Sequence, residues 1–184
     1  MAVKIKQIAK WLKENDLYEI KYELYKKDKR IVFVVSGSEN SNLFIVQTME
    51  KGALCVWKMH LLNQEENARE NFPTDHMNLP QVMQYALVLD NDRKFGRWEY
   101  NQLTEEMVFS VNLLLEDSEM TYKQFRRILG LMLSNATEEA KALRTILETG
   151  KIPQSSSYKQ LFSLLADFVN KHGQEIEDTE VVES

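Results

Sequence analysis

Three histidines, one cysteine and one acidic cluster are the residues here whose types could do chemistry. Metal binding needs imidazole, thiolate and carboxylate groups at a few fixed spacings. His60, His76 and His172 fall in a predicted strand, a loop and the C-terminal region, and none stands at ligand spacing from another His, Cys or acid. Each reads as a structural or surface residue, so neither a metal nor a cofactor is expected. Cys55 lies in a predicted strand whose alternation groups it with Ala53, Trp57 and Met59. It reads as a small packed residue rather than a reactive thiol. Glu116, Asp117 and Glu119 sit just before a predicted helix start. A carboxylate pair could bind a cation or do acid–base work, but favourable charge at a helix N-terminus explains the three with less. The phosphate-cradling loops GxGxxG and GxxxxGK(S/T) and the nucleophile motif GxSxG do not occur. No catalytic residue is assigned, and the chain is expected not to be an enzyme. No pair of ionisable side chains is expected to converge in a deep cleft with strongly shifted pKa values.

The elements that would position these residues come from periodicity. Val3, Ile5, Ile8, Ala9, Trp11 and Leu12 share one stripe, which predicts a helix over 3–14. Tyr18, Ile20, Tyr22 and Leu24 alternate with polar residues, the pattern of a half-buried strand. Strands follow at 31–35, 43–49 and 53–61, with Lys51-Gly52 as a hairpin turn. Residues 63–78 are polar and long for a connection; they read as a mobile loop or a short helix around 65–70. A helix over 79–89 is followed by strands at 94–100 and 107–115. Thr121 with Gln124 three residues on has capping-box spacing, and the apolar stripe runs from Tyr122 to Leu147, with Gly130 and Asn135 able to bend or break it. Gly150 and Pro153 end it. A last amphipathic helix covers 158–169.

Grouped strands with grouped helices predict an α+β fold, an antiparallel sheet of about six strands packed by helices. Residues 1–172 are expected to be a single domain, and 173–184 an acidic, disordered tail. The chain has 184 residues, 43% apolar and 28% charged, with six Gly, three Pro and one Cys. That balance suits one globular domain with a core of its own. The lone Cys excludes an internal disulfide and fits a reducing compartment, so a cytoplasmic location is expected. No apolar run reaches the length of a membrane span. The net charge of −5 lacks the basic field of a nucleic-acid binder. Residues 1–30 carry nine Lys/Arg against five acids; this is either a solvated face or a weak contact with an anionic surface.

Two aromatic sets point to a partner. One is Phe44 with Trp57. The other lies in FGRWEY, where alternation separates Phe95, Arg97 and Glu99 from Trp98 and Tyr100. Either helices cover both sheet faces, or a large aromatic is left outside as an apolar patch of the kind that binds partners. Phe44, Trp57, Phe95, Arg97 and Trp98 are therefore the candidate partner-binding residues. The helix over 79–91 is apolar on more than one side and needs cover on both. Val82, Met83, Ala86 and Leu87 are candidates for a homodimer interface, with the terminal helix 158–169 as the competing cover.

FGRWEY, VFSVNLLLED and MTYKQFRRIL together resemble the YbjN-like family, small bacterial domains related in fold to type III secretion chaperones, with cyanobacterial members closest. The matching positions are Arg97, Glu99 and Tyr100, then Leu115, Glu116 and Asp117, then Thr121, Gln124, Phe125 and Arg127. The resemblance covers Leu79 to Pro153 and none of its positions is catalytic. The family often has Pro where Leu114 stands, and 63–78 and 158–169 lie outside the shared core. The resemblance implies a type III secretion chaperone-like α+β domain, often dimeric, that holds a peptide segment or protein partner without enzymatic activity. The alternative is a small-molecule-binding protein or enzyme with a pocket between sheet and helices.

Overall fold

The computed structural model describes residues 4–14, 20–36, 41–63, 68–91, 93–115 and 119–152. The chain divides into a compact unit, Met1–Lys151, and a second unit, Ile152–Ser184. The predicted helix 158–169, the acidic tail, His172, Glu116 and Asp117 lie outside the described residues.

The order of elements is α1 (Ile5–Glu14), β1 (Tyr22–Tyr25), β2 (Arg30–Ser36), β3 (Ser41–Met49), β4 (Leu54–Asn63), β5 (Ala68–Arg69), α2 (Leu79–Asn91), β6 (Arg97–Asn101), β7 (Glu106–Leu114), α3 (Tyr122–Leu133) and α4 (Asn135–Thr149). The strands form one antiparallel sheet in the order β1-β2-β3-β4-β7-β6, and β5 adds to β4. The fold is α+β, as the grouping of strands and helices predicts. Leu62 of β4 pairs with both Ser41 of β3 and Arg69 of β5, so β5 lies on the β7 side of β4.

Alternation makes the two sheet faces different. Opposite residues in an antiparallel pair point the same way, so the register assigns each side chain. One face collects Ile31, Phe33, Phe44, Val46, Cys55, Trp57, Met59, Phe109 and Val111, all buried. Phe33 stacks on Phe44 with centroids 5.0 Å apart. The helices pack here. Phe125 of α3 meets Trp57 at 5.8 Å and Trp11 of α1 at 5.4 Å. Phe125, Ile128, Leu129 and Met132 are all buried, as their helical spacing predicts.

Local chemistry sets the helix ends. The Thr121 side chain accepts from the Gln124 N–H while the Gln124 side chain accepts from the Thr121 N–H, a complete capping box. The helical run breaks at Ser134, whose hydroxyl donates to the Gly130 carbonyl at 2.6 Å. A side chain that competes for a backbone carbonyl loosens the next turn. Gly150 closes α4 in the left-handed conformation, φ 66°, and the Asn78 amide donates to the Leu147 carbonyl at 2.9 Å.

The segment 68–78 is neither a helix nor a free loop. Its first two residues are strand β5. Phe72 is fully buried, its N–H donates to the Glu105 carbonyl at 2.6 Å, and its carbonyl accepts from the Tyr100 hydroxyl at 2.8 Å. Glu105 accepts from the Thr74 N–H and hydroxyl at 3.0 and 2.8 Å. A buried aromatic and paired backbone groups hold what polar composition alone reads as loop.

Candidate binding site on the open sheet face

The opposite face of the sheet carries Glu23 and Tyr25 of β1, Arg30, Val32 and Val34 of β2, Leu43, Ile45 and Gln47 of β3, Val56, Lys58 and His60 of β4, Glu106, Val108 and Ser110 of β7, and Arg97 and Glu99 of β6. The helix contacts with the sheet fall on the Trp57 face or at the β6 edge: Phe125 on Trp57, Thr137 on Asn42, Glu139 on the Trp98 indole and Asp90 on the Trp98 N–H. None of these contacts falls on the second face. Val34 is 46% exposed, and Lys58 is exposed although it stands on a central strand.

This face is concave. A cavity of about 560 Å³ is floored by Ile45, Val56, Lys58, His60 and Val108, and walled by Arg30, Arg69 and the turn between β6 and β7. Leu103, at the tip of that turn, is 95% exposed and borders it.

Ionisable groups do converge here, contrary to the expectation from sequence. His60 and Glu106 are both buried, with Nδ1 and Oε2 3.6 Å apart. Arg69 Nη1 donates to both Glu106 oxygens, at 3.2 and 3.3 Å, and the Thr104 hydroxyl donates to Oε2 at 3.1 Å. Burial, and then the Arg69 guanidinium, push the His60 imidazole down to about 4, against the pull of Glu106. His60 is therefore neutral at pH 7. On the β6 side, burial raises the Glu99 carboxyl, but hydrogen bonds from Ser110 and Arg97, both 2.7 Å, outweigh it and hold the group below its ordinary value. The sequence hides this cluster because its members come from β4, β5, β6 and β7. One signal was available: Val56, Lys58 and His60 alternate with Cys55, Trp57 and Met59, so they had to share the other face.

The partner candidates divide. Phe44 and Trp57 are buried under the helices and cannot offer a surface. Trp98 is 6% exposed, with its indole N–H donating to Glu139 at 2.9 Å and its ring edge-on to Phe109 at 5.4 Å. Alternation separates the faces correctly but does not say which one the helices cover. Phe95, 65% exposed, and Arg97 do reach solvent. Of the interface candidates, Val82 and Ala86 are buried on α2, which packs against α4 and β6, so neither is open to a second subunit. Met83 is half-buried and Leu87 is 67% exposed.

The remaining candidates are structural. Burial pushes the Cys55 thiol up to about 12, which removes the thiolate needed for nucleophilic work. His76 accepts from the Asn78 N–H at 3.2 Å within a turn. Among the described residues no group of three His, Cys, Asp or Glu is placed to hold a metal, and no helix is long and apolar enough to cross a membrane. No family model matches the chain, and no curated protein matches it significantly.

Proposed function

We propose that this chain is a non-enzymatic protein- or peptide-binding module that holds a partner segment on the open face of its sheet. One observation carries the reading: a concave sheet face with half-buried and exposed aliphatic residues, opposite the face on which Phe125 of α3 meets Trp57. An antiparallel sheet can turn one face to water, and exposed aliphatic residues on such a face, here Val34, mark a surface for a partner. The resemblance of FGRWEY and MTYKQFRRIL to the YbjN-like family points the same way, to a chaperone-like or regulatory domain of the bacterial cytoplasm. Pairing of two chains belongs to the same proposal, through Met83 and Leu87 rather than Val82 and Ala86.

A photo-crosslinking residue at Val34 tests it in the native cell, with the exposed Met77 as the comparison site. A discrete protein adduct at Val34 that is absent at Met77 is the expected outcome. No adduct at Val34 would overturn the reading. A second reading draws on the cavity itself, whose volume suits a small ligand. It would be a small-molecule site lying on the sheet face opposite Trp57 and Phe125 rather than between sheet and helices. Thermal shift with a metabolite set, compared between wild type and Lys58→Glu, separates it from the first.

A further inference from the structure

We propose that His60, Glu106 and Arg69 form an acid-operated clasp: a proton on His60 draws Glu106 to the imidazolium, expels Arg69 and frees strand β5 from the sheet. The inference concerns the fold itself and does not rest on any partner.

The clasp sits where three strands meet. Leu62 and Asn63 at the end of β4 carry β5, and His60 stands just before them on the same strand. Glu106 opens β7. Its carboxylate is shared. Arg69 Nη1 is 3.2 and 3.3 Å from the two oxygens, the Thr104 hydroxyl is 3.1 Å from Oε2, and His60 Nδ1 is 3.6 Å from that same Oε2. The last distance is too long for a hydrogen bond, and Nδ1 is buried with no hydrogen-bond partner. A neutral imidazole carries one N–H and an imidazolium two. The proton therefore turns an unmade contact into a charge-assisted hydrogen bond to Glu106.

The added charge upsets the balance of the cluster. Among the described residues, the charged groups around His60 are Lys58 on its own strand, Arg69 on β5, Glu106 on β7 and, beyond Val108, Glu99 on β6; β3 presents Leu43. Glu99 is held by Arg97 and Ser110. Protonated His60 thus joins Arg69 and Lys58 around one available carboxylate. Like charges repel more strongly in a partly buried site than in water, and Arg69 is the cation that can leave. Its side chain is 44% exposed, against 9% for His60 and 11% for Glu106. Lys58 is exposed already. Arg69 is also half of a two-residue strand, so little ladder holds it. Downstream, Phe72 is buried and its N–H donates to the Glu105 carbonyl, so the opening stops there. Arg69 borders the concavity, and its departure opens that wall.

NMR of the full chain tests the clasp. Burial, and then the Arg69 guanidinium, hold the His60 imidazole at about 4, so the titration runs from neutral pH down past that value. The His60 ring and the Ala68 and Arg69 amides are expected to share one midpoint. The Glu70 N–H donates to the Leu61 carbonyl at 2.8 Å. Its protection against exchange, corrected for the intrinsic rate, should fall about tenfold or more while residues 55–59 stay protected. Burial raises the Glu70 carboxyl, so acid also acts there. Two variants separate the sites. Arg69→Gln should show the open β5 already at neutral pH, and His60→Gln should keep β5 closed in acid. An equal acid response in His60→Gln would overturn the clasp and assign it to Glu70. Loss of protection at 55–59 together with Glu70 would also overturn it, because the response would then be global. Should His60→Gln not fold, the wild-type midpoints decide: amides at 68–69 that titrate apart from the His60 ring would sink the proposal.

Discussion

The Trp98 backbone N–H donates to both carboxylate oxygens of Asp90, at 3.0 Å each. Trp98 is on the edge strand β6, and Asp90 is near the end of α2. An unpaired edge N–H is a template for another chain, and here a side chain occupies it. Arg93 extends the tie, sitting 3.8 Å from Asp90, pairing with Glu139 of α4 and lying over the Phe109 ring at 4.8 Å.

Asp90→Ala therefore removes a cap from the sheet edge and a partner from Arg93. The expected loss is about 1–3 kcal/mol, read from urea unfolding. Light scattering should show greater self-association than wild type. Unchanged stability and an unchanged mass would disprove the edge role.

His60 makes stability depend on pH. Its pKa lies near 6.5 in the unfolded chain and at about 4 in the fold. Between those values the unfolded state binds the proton and the folded state does not, so stability falls as pH drops from about 6.5 to about 4. The full effect is about 3 kcal/mol. The difference in unfolding free energy between wild type and His60→Leu should change with pH across that window and stay constant above pH 7. A flat difference curve would refute it.

Phe125 sits between Trp57 of the sheet and Trp11 and Tyr122 of the helix layer. Phe125→Ala should cost about 3–5 kcal/mol, the range for a fully buried aromatic. Chemical denaturation measures it, and a loss below 1 kcal/mol would mean the layers are held elsewhere.

Gly96 has φ +77°, and a Cβ there would stand 2.3 Å from the Phe109 ring. Gly96→Ala meets strain and a clash together, with an expected loss of about 1–3 kcal/mol. Thermal unfolding is the readout; an unchanged Tm would show that Phe109 can turn aside freely.

Cys55 should be inert to maleimide in the folded protein and react at the rate of global unfolding, since its thiol is fully buried. Fast labelling at neutral pH without denaturant would contradict the packing of β4.

What was legible in the sequence follows from how far each interaction reaches. The start of α3 was readable because a capping box needs only Thr121 and Gln124, three residues apart. The faces of β4 were readable because alternation is local. Strand β5 was not: two residues have no periodicity, and their pairing with Leu62 and Asn63 is tertiary. The same holds for the ion cluster, in which Arg69 and Glu106 are 37 residues apart in the chain. Phe44 and Trp57 were read as surface candidates because large aromatics mark both interfaces and cores.

β4 has a dry side and a wet side, and its successive residues answer to different demands. Substitutions at Cys55, Trp57 or Met59 disturb the layer beneath the helices. Those at Val56 or Lys58 touch only the concave floor. A saturation scan over 55–59 should oscillate with a period of two: loss of accumulated protein at Cys55, Trp57 and Met59, and normal abundance at Val56 and Lys58. Selection can therefore change the chemistry of the concave floor without renegotiating how the domain folds.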